Sequence, residues 1–173
     1  MNFFTSDHHF YHKNIIEYCD RPYADLDEMH ADMIAKWNET VRKDDCVYYL
    51  GDFSFGNQKQ TNDILWQLNG YKVLIRGNHD DNATCKLFDE WHQTLEIESP
   101  YFTYLLSHYP YEIAGYEDKR GLYTPLSDKT LIHGHVHRKW TVKSNMINVG
   151  VDVWDFYPIS QDDIDEMRAG WGI

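Results

Sequence analysis

The sequence predicts an α/β fold with a mixed arrangement of strands, on three observations. Short β-rich runs alternate with amphipathic helical stretches through the first half. Strands in the second half follow one another too closely for helical crossovers, so the arrangement cannot be purely parallel. With 173 residues, 42% of them hydrophobic and 16% aromatic, the chain can bury a core as a single domain over residues 1–173.

The elements follow in order. NFFT (2–5) is a short opening strand. Asp25 is placed to cap a helix over 26–43, with Glu28 three residues on; Met29, Met33, Trp37 and Val41 then form an i, i+4 stripe that belongs in the core. CVYYL (46–50) reads as a buried strand. Residues 60–69 read as a helix with Ile64, Leu65 and Leu68 on its apolar side, ended by Gly70, and YKVLI (71–75) as the next strand. YFTYLLS (101–107), TLIH (130–133), KWTVK (139–143) and MINVGVDV (146–153) carry the β-branched and aromatic residues of strands. Ser160 with Asp163 caps a last helix that sets Ile164, Met167 and Trp171 on one side.

The formal net charge of -12 argues against tight binding along long duplex nucleic acid or an anionic membrane. A small phosphate ester stays compatible with it if a cation supplies local positive charge. Cys19, Cys46 and Cys85 are scattered and include no C-x-x-C pair, which argues against a zinc ribbon or a disulfide framework. No basic, apolar leader opens the chain and no apolar run reaches membrane-span length, so a cytoplasmic protein with no membrane partner is expected.

Polar residues fall on this map with a pattern. SDHH (6–9), GDFSFG (51–56), RGNHD (76–80), SHYP (107–110) and GHVH (134–137) each begin where an expected strand ends. Ligand sites of α/β sheets form beyond the carboxyl ends of strands. Any one piece is an ordinary turn. GDFSFG even carries the G-x-x-x-x-G of a phosphate loop, but Asn57 and Gln58 stand where Lys and Ser/Thr are needed. Together they gather Asp, His and Asn without a thiolate, a donor mix for borderline divalent ions rather than calcium. The supply exceeds one four-coordinate zinc, so two cations sharing a carboxylate is the economical reading. Within HGHVH (133–137), an extended strand would set all three histidines on one face.

The order D-x-H, G-D, G-N-H-D, S-H and G-H-x-H, from Asp7 to His137, resembles the calcineurin-like metallophosphoesterase superfamily. SDHHFYHKNI and NVGVDVWDFYPIS look like its small stand-alone bacterial and phage members. The resemblance implies two mixed β-sheets packed as a sandwich flanked by helices. It also implies that Asp7, His9 and His137 hold one metal, that Asn78, His108 and His135 hold another, and that Asp52 bridges them. His79 would stand beside the metals as a catalytic group oriented by Asp80, and His133 would be a packed neighbour. Manganese is the first expectation, with iron, zinc, nickel or cobalt as alternatives. The implied chemistry is hydrolysis of a small phosphodiester or phosphomonoester, diesters favoured, by a metal-bridging hydroxide, with His79 protonating the leaving group.

For substrate contacts the sequence offers His12, Arg76 and Arg138, with structural ion pairing an equal alternative for the two arginines. Tyr109, Tyr111, Tyr116 and Tyr123 in the segment 109–125 either stack a nucleobase or pack the loop, and packing is the simpler expectation. Two other readings stay open: a nuclease for short or single-stranded ends, and a catalytically silent binding scaffold on the same fold.

Overall fold

Phe3 and Phe4, adjacent in the strand Asn2–Thr5 (β1), point to opposite faces and enter different cores. That alternation sets the layers. The computed structural model describes residues 1–112, 116–118 and 120–170. After β1 come α1 (Ile15–Tyr18), α2 (Leu26–Thr40), β2 (Cys46–Tyr49), α3 (Gln58–Leu65), β3 (Tyr71–Ile75), α4 (Asn82–Cys85), β4 (Glu90–His92), β5 (Thr94–Glu98), β6 (Thr103–Ser107), β7 (Thr130–His133), β8 (Val142–Lys143), β9 (Met146–Asn148), β10 (Ile159–Ser160) and α5 (Gln161–Gly170). One five-stranded sheet runs β10-β1-β2-β3-β4 and the other β5-β6-β7-β9-β8. Both are mixed: β1, β2, β3 and β4 are parallel with β10 antiparallel, and β6, β7 and β9 are parallel between antiparallel β5 and β8. The expected α/β sandwich of two mixed sheets is therefore the observed one.

Phe4, Leu50 and Ile75 from the first sheet meet Tyr104, Leu106, Ile132 and Ile147 from the second, and α5 adds Ile164. On the outer face of the first sheet, Phe3, Val47 and Leu74 pack under α2 and α3. The stripe Met29, Met33, Trp37 and Val41 is fully buried there, each large side chain stabilising by about 1.5–3 kcal/mol. No helix among the described residues is long and apolar enough to cross a membrane.

Several boundaries differ from expectation. The first long helix stops at Thr40 rather than 43, because Val41 turns extended (φ -95°, ψ 130°) to bury its side chain. Its start is as expected: the Asp25 side chain accepts from the Glu28 amide at 3.0 Å. The helix expected over 60–69 begins at Gln58, since Asn57 and Gln60 form a reciprocal capping box, and it ends at Leu65. In place of long strands over 139–143 and 146–153 there are short β8 and β9, with 3-10 turns at His137–Lys139 and Val151–Val153. Ser160 and Asp163 do cap α5, while Trp171 lies outside the described residues.

Parallel pairing puts the carboxyl ends of β1, β2 and β3 on one edge, and those of β6 and β7 on one edge of the other sheet. The parallel bridge Ser6–Gly150 joins the two edges, while backbone bonds from Asp7 to the Gly51 carbonyl (3.0 Å) and from Gly134 to the His108 carbonyl (3.1 Å) hold the loops along each edge.

Candidate metal centre

Five of the seven expected ligands turn at the strand ends in the left-handed backbone region: Asp7 (φ 60°), His9 (53°), Asp52 (59°), His135 (69°) and His137 (50°). This conformation costs most residues energy and is tolerated best by Asn, Asp and His. Thus β7 ends at His133, and His135 and His137 reach the site through a left-handed turn rather than through strand alternation. Val136 between them is buried in the core. Two glycines are required by close approach. A Cβ on Gly134 would strike Ser6 Oγ and Asp7 Oδ2, and one on Gly77 would strike Asp52 Oδ1.

The side chains converge in two groups whose ligand atoms lie within 4.8 Å of one another: Asp7, His9 and His137, and Asp52, His108 and His135. Asp52 Oδ2 is central, 3.6 Å from His9 Nε2, 3.5 Å from His108 Nε2 and 3.9 Å from His79 Nε2. Asn78 joins the second group, its Oδ1 3.2 Å from His108 Nε2. A third group, Cys19, His137 and Asp152, shares His137 with the first.

Each histidine of this set that is held from behind has one nitrogen engaged and the other facing in. His108 Nδ1 donates to the Leu50 carbonyl at 2.6 Å; His135 Nε2 meets Asp118 at 2.7 Å; His137 Nδ1 meets Asp152 at 2.8 Å. Such outer partners fix tautomer and ring orientation at metal sites. Asp152 is itself clamped by buried Arg21, which also donates to the carbonyls of Asp7 and His8 at 2.7 Å each. Asp118, Asp152 and Arg21 are absent from the sequence-based site. Asp152 sits in the NVGVDVW stretch that carried the resemblance; the other two have no local signal.

The expected partnership of Asp80 with the His79 ring is corrected. The Asp80 carboxylate accepts the backbone amides of Asp52 (2.8 Å), Gly77 (2.9 Å) and Phe53 (3.0 Å), tying two loops together. His79 is positioned instead by its amide on Asp52 Oδ1 at 2.9 Å and by ring contacts with Phe55 and His9. His12 is brought to the site, its Nδ1 3.3 Å from His9 Nδ1. Arg76 donates to the Asp80 carbonyl at 2.8 Å and is a loop strut, whereas Arg138 borders the site while bonding the Cys19 carbonyl and Asp20. His133 is fully buried beside Trp140, outside both ligand groups.

Electrostatics ask for positive charge here. Burial opposes protonation of His108, but the Asp52 carboxylate outweighs it and lifts the pKa to about 9. Burial would likewise raise Asp52, yet His108 and His9 hold it well below the carboxylate range. Among described atoms, Asp7 Oδ1, His9 Nε2 and Asn78 Nδ2 are buried without a hydrogen-bond partner. Orphaned polar atoms of this kind cost about 1–3 kcal/mol each. With His108 Nδ1 spent on Leu50, the oxygens of Asn78 and Asp52 and the inward nitrogens face one another around shared space. A proton relieves this in the bare protein and a cation relieves it in the loaded one. The residues fit a divalent metal centre.

No family model matches the chain. It is 36% identical over 169 residues to an uncharacterised protein, MJ1445, of Methanocaldococcus jannaschii, covering 92% of this chain and 86% of that one. The gene 66 protein of Mycobacterium phage L5 is 34% identical over 193 residues, covering 95% and 92%. A crystal structure of a protein of unknown function, AQ665 from Aquifex aeolicus, superposes with a TM-score of 0.79 at 30% identity, covering 96% and 98%. With that likeness along nearly its whole length, and with the same fold as AQ665, the chain belongs to the family of these small proteins.

Proposed function

We propose that this protein is a metal-dependent phosphoesterase, with diesters preferred over monoesters and two divalent cations, manganese first, as its cofactors. The observation that carries the reading is the convergence of Asp7, His9 and His137 beside Asp52, His108 and His135, with Asp7 Oδ1 and His9 Nε2 buried and unpartnered. Asp7, His9 and His137 would hold one ion, Asn78, His108 and His135 the other, and Asp52 both. Bound there, the ions supply Lewis-acid charge stabilisation and lower the pKa of water.

The chain supplies the rest. A pocket of about 290 Å3 opens over the centre, lined by His9, Asp52, His79, Arg120, His135 and Lys139 among others. Arg120 and Lys139 in this lining, beside Glu117 and Asp118, would neutralise phosphoryl oxygens; Arg76 does not line the pocket. His79, with a side chain 36% exposed and Nε2 3.9 Å from Asp52, is free to hand a proton to a leaving oxygen. A wider groove adjoins this pocket and leaves room for a second ester substituent, which supports the diester preference.

The test is to strip the protein of metal and reload it with Mn, Ni, Zn or Mg. Hydrolysis is then compared for bis(p-nitrophenyl) phosphate, p-nitrophenyl phosphate, cyclic nucleotides and short oligonucleotides. Diester hydrolysis that depends on metal and is lost in Asp52→Asn is expected; no hydrolysis with any metal would overturn the proposal.

A further inference from the structure

The groove beside the metal centre has a volume of about 610 Å3 and shares His9, His79, His135 and His137 with the smaller pocket. Small-molecule sites usually measure roughly 300–1,000 Å3. Whatever is attached to a phosphate in the pocket has this groove open to it.

Two large rings are kept at the surface along it: Phe55, 42% exposed, and Tyr18, 68% exposed. Neither is loose. Phe55 stacks on His12 with centroids 4.1 Å apart and planes at 23°, and leans on His79 at 4.6 Å. Tyr18 meets His12 edge-on at 6.0 Å. Rings already fixed in place lose little freedom when something settles on them. The charge pattern is equally pointed. In a chain of net charge -12, no carboxylate among the described residues lines the groove, while Lys139 and Arg138, the latter paired with Asp20, do. An aromatic wall with a cationic rim fits an anionic ester that carries a planar ring.

The loop tyrosines do not compete for that role. Tyr111 is fully buried, Tyr116 packs edge-on against Trp140 at 4.9 Å, and the Tyr123 hydroxyl accepts the Asp118 amide at 2.7 Å. Tyr109 packs against the rings of His108 and His135.

We infer that the groove holds the nucleobase of a nucleotide ester whose phosphate sits at the metal centre, with Phe55 as the stacking surface and Tyr18 as the second wall. The inference rests on the phosphoesterase reading and names the substrate class for it.

Calorimetric binding of adenosine 5'-monophosphate and of ribose 5-phosphate to the manganese-loaded protein provides the test, since the two share a phosphate and differ by the base. AMP is expected to bind roughly tenfold more tightly, the scale of one base stacked on one ring. Phe55→Leu, which keeps apolar bulk without the π face, should cut that ratio to about twofold, and Phe55→Tyr should restore it. Tyr18→Ala, at a surface position, should lower the ratio as well. Equal affinity for the two phosphates, no binding of either, or an unchanged ratio in both Phe55→Leu and Tyr18→Ala overturns the assignment. Hydrolysis of bis(p-nitrophenyl) phosphate by the same preparations separates the two levels. Turnover alongside equal affinities removes the nucleobase and leaves the phosphoesterase; absence of turnover with every metal removes the phosphoesterase itself.

Discussion

His137 Nδ1 lies 2.8 Å from Asp152 Oδ2, and the other oxygen of that carboxylate lies 2.7 Å from Nε of buried Arg21. The triad decides which nitrogen of His137 carries the proton and aims the other at Asp7 and His9. Asp152→Asn is therefore expected to weaken cation binding about 10- to 100-fold. It should also cost about 3–5 kcal/mol of stability, because Arg21 is left buried without its counter-charge. Metal titration and urea denaturation read the two effects separately, and wild-type affinity in the variant would show that His137 needs no partner.

His79→Asn should retain bound metal, because the His79 ring belongs to neither ligand group. Turnover of a diester with a poor leaving group should fall about 10²- to 10⁴-fold, the usual worth of a positioned proton donor. Metal content by atomic emission and kcat measured together are the check. Full turnover at normal metal content would remove the proposed role.

Asp80→Ala should behave differently. Three buried amides lose their acceptor, and each orphaned donor costs about 1–3 kcal/mol. Stability and metal content are expected to drop together, since the loops of Asp52 and Asn78 are no longer tied. A variant that is as stable as wild type yet inactive would instead return Asp80 to the catalytic machinery.

Acid should weaken the metal-free fold through His8, which is packed between Phe10, Tyr49 and Trp37. Burial, reinforced by Arg21, pushes its pKa down to about 3, against 6.5 in the unfolded chain. Between these values the unfolded state binds a proton that the folded state refuses. Stability thus falls as pH drops below about 6.5, by up to ~1.4 kcal/mol per pH unit from this residue, and is unaffected by it above that. In His8→Phe the slope between about pH 6.5 and pH 4 should lessen by close to one proton. Buried His133, also pushed down to about 3, contributes with the same sign and stays in the variant.

Much of this was legible in the sequence, for identifiable reasons. β1, β3 and β7 announce themselves because short apolar runs bounded by turn residues have few other uses. The candidate segments SDHH, GDFSFG, RGNHD, SHYP and GHVH stand out because each begins at or next to a strand end and carries metal-capable chemistry, while the division of ligands between two cations comes from the resemblance. Legibility fails where position depends on distant chain. Asp118 reaches His135 from 17 positions earlier, with β7 between them, and a buried Arg21 is indistinguishable from a surface arginine until 131 residues later Asp152 folds onto it. Asp80 was misassigned for a related reason: adjacency to His79 suggested a side-chain dyad, whereas backbone amides from two loops claim its carboxylate. Phe55 sat in a recognised motif, and only the fold shows that its ring faces outward.

The left-handed turns at the strand ends bear on how a relative of this chain should be judged. At Asp7, Asp52, His9, His135 and His137 the residue types that bind cations are also the non-glycine types that such a backbone accepts most readily. A relative that binds no metal would have a conformational reason to keep them. Asn78 and His108 have no positive φ to satisfy. Backbone conformation gives no reason for their identity, which makes those two positions, rather than the conspicuous GHVH, the sharper witnesses of a metal centre.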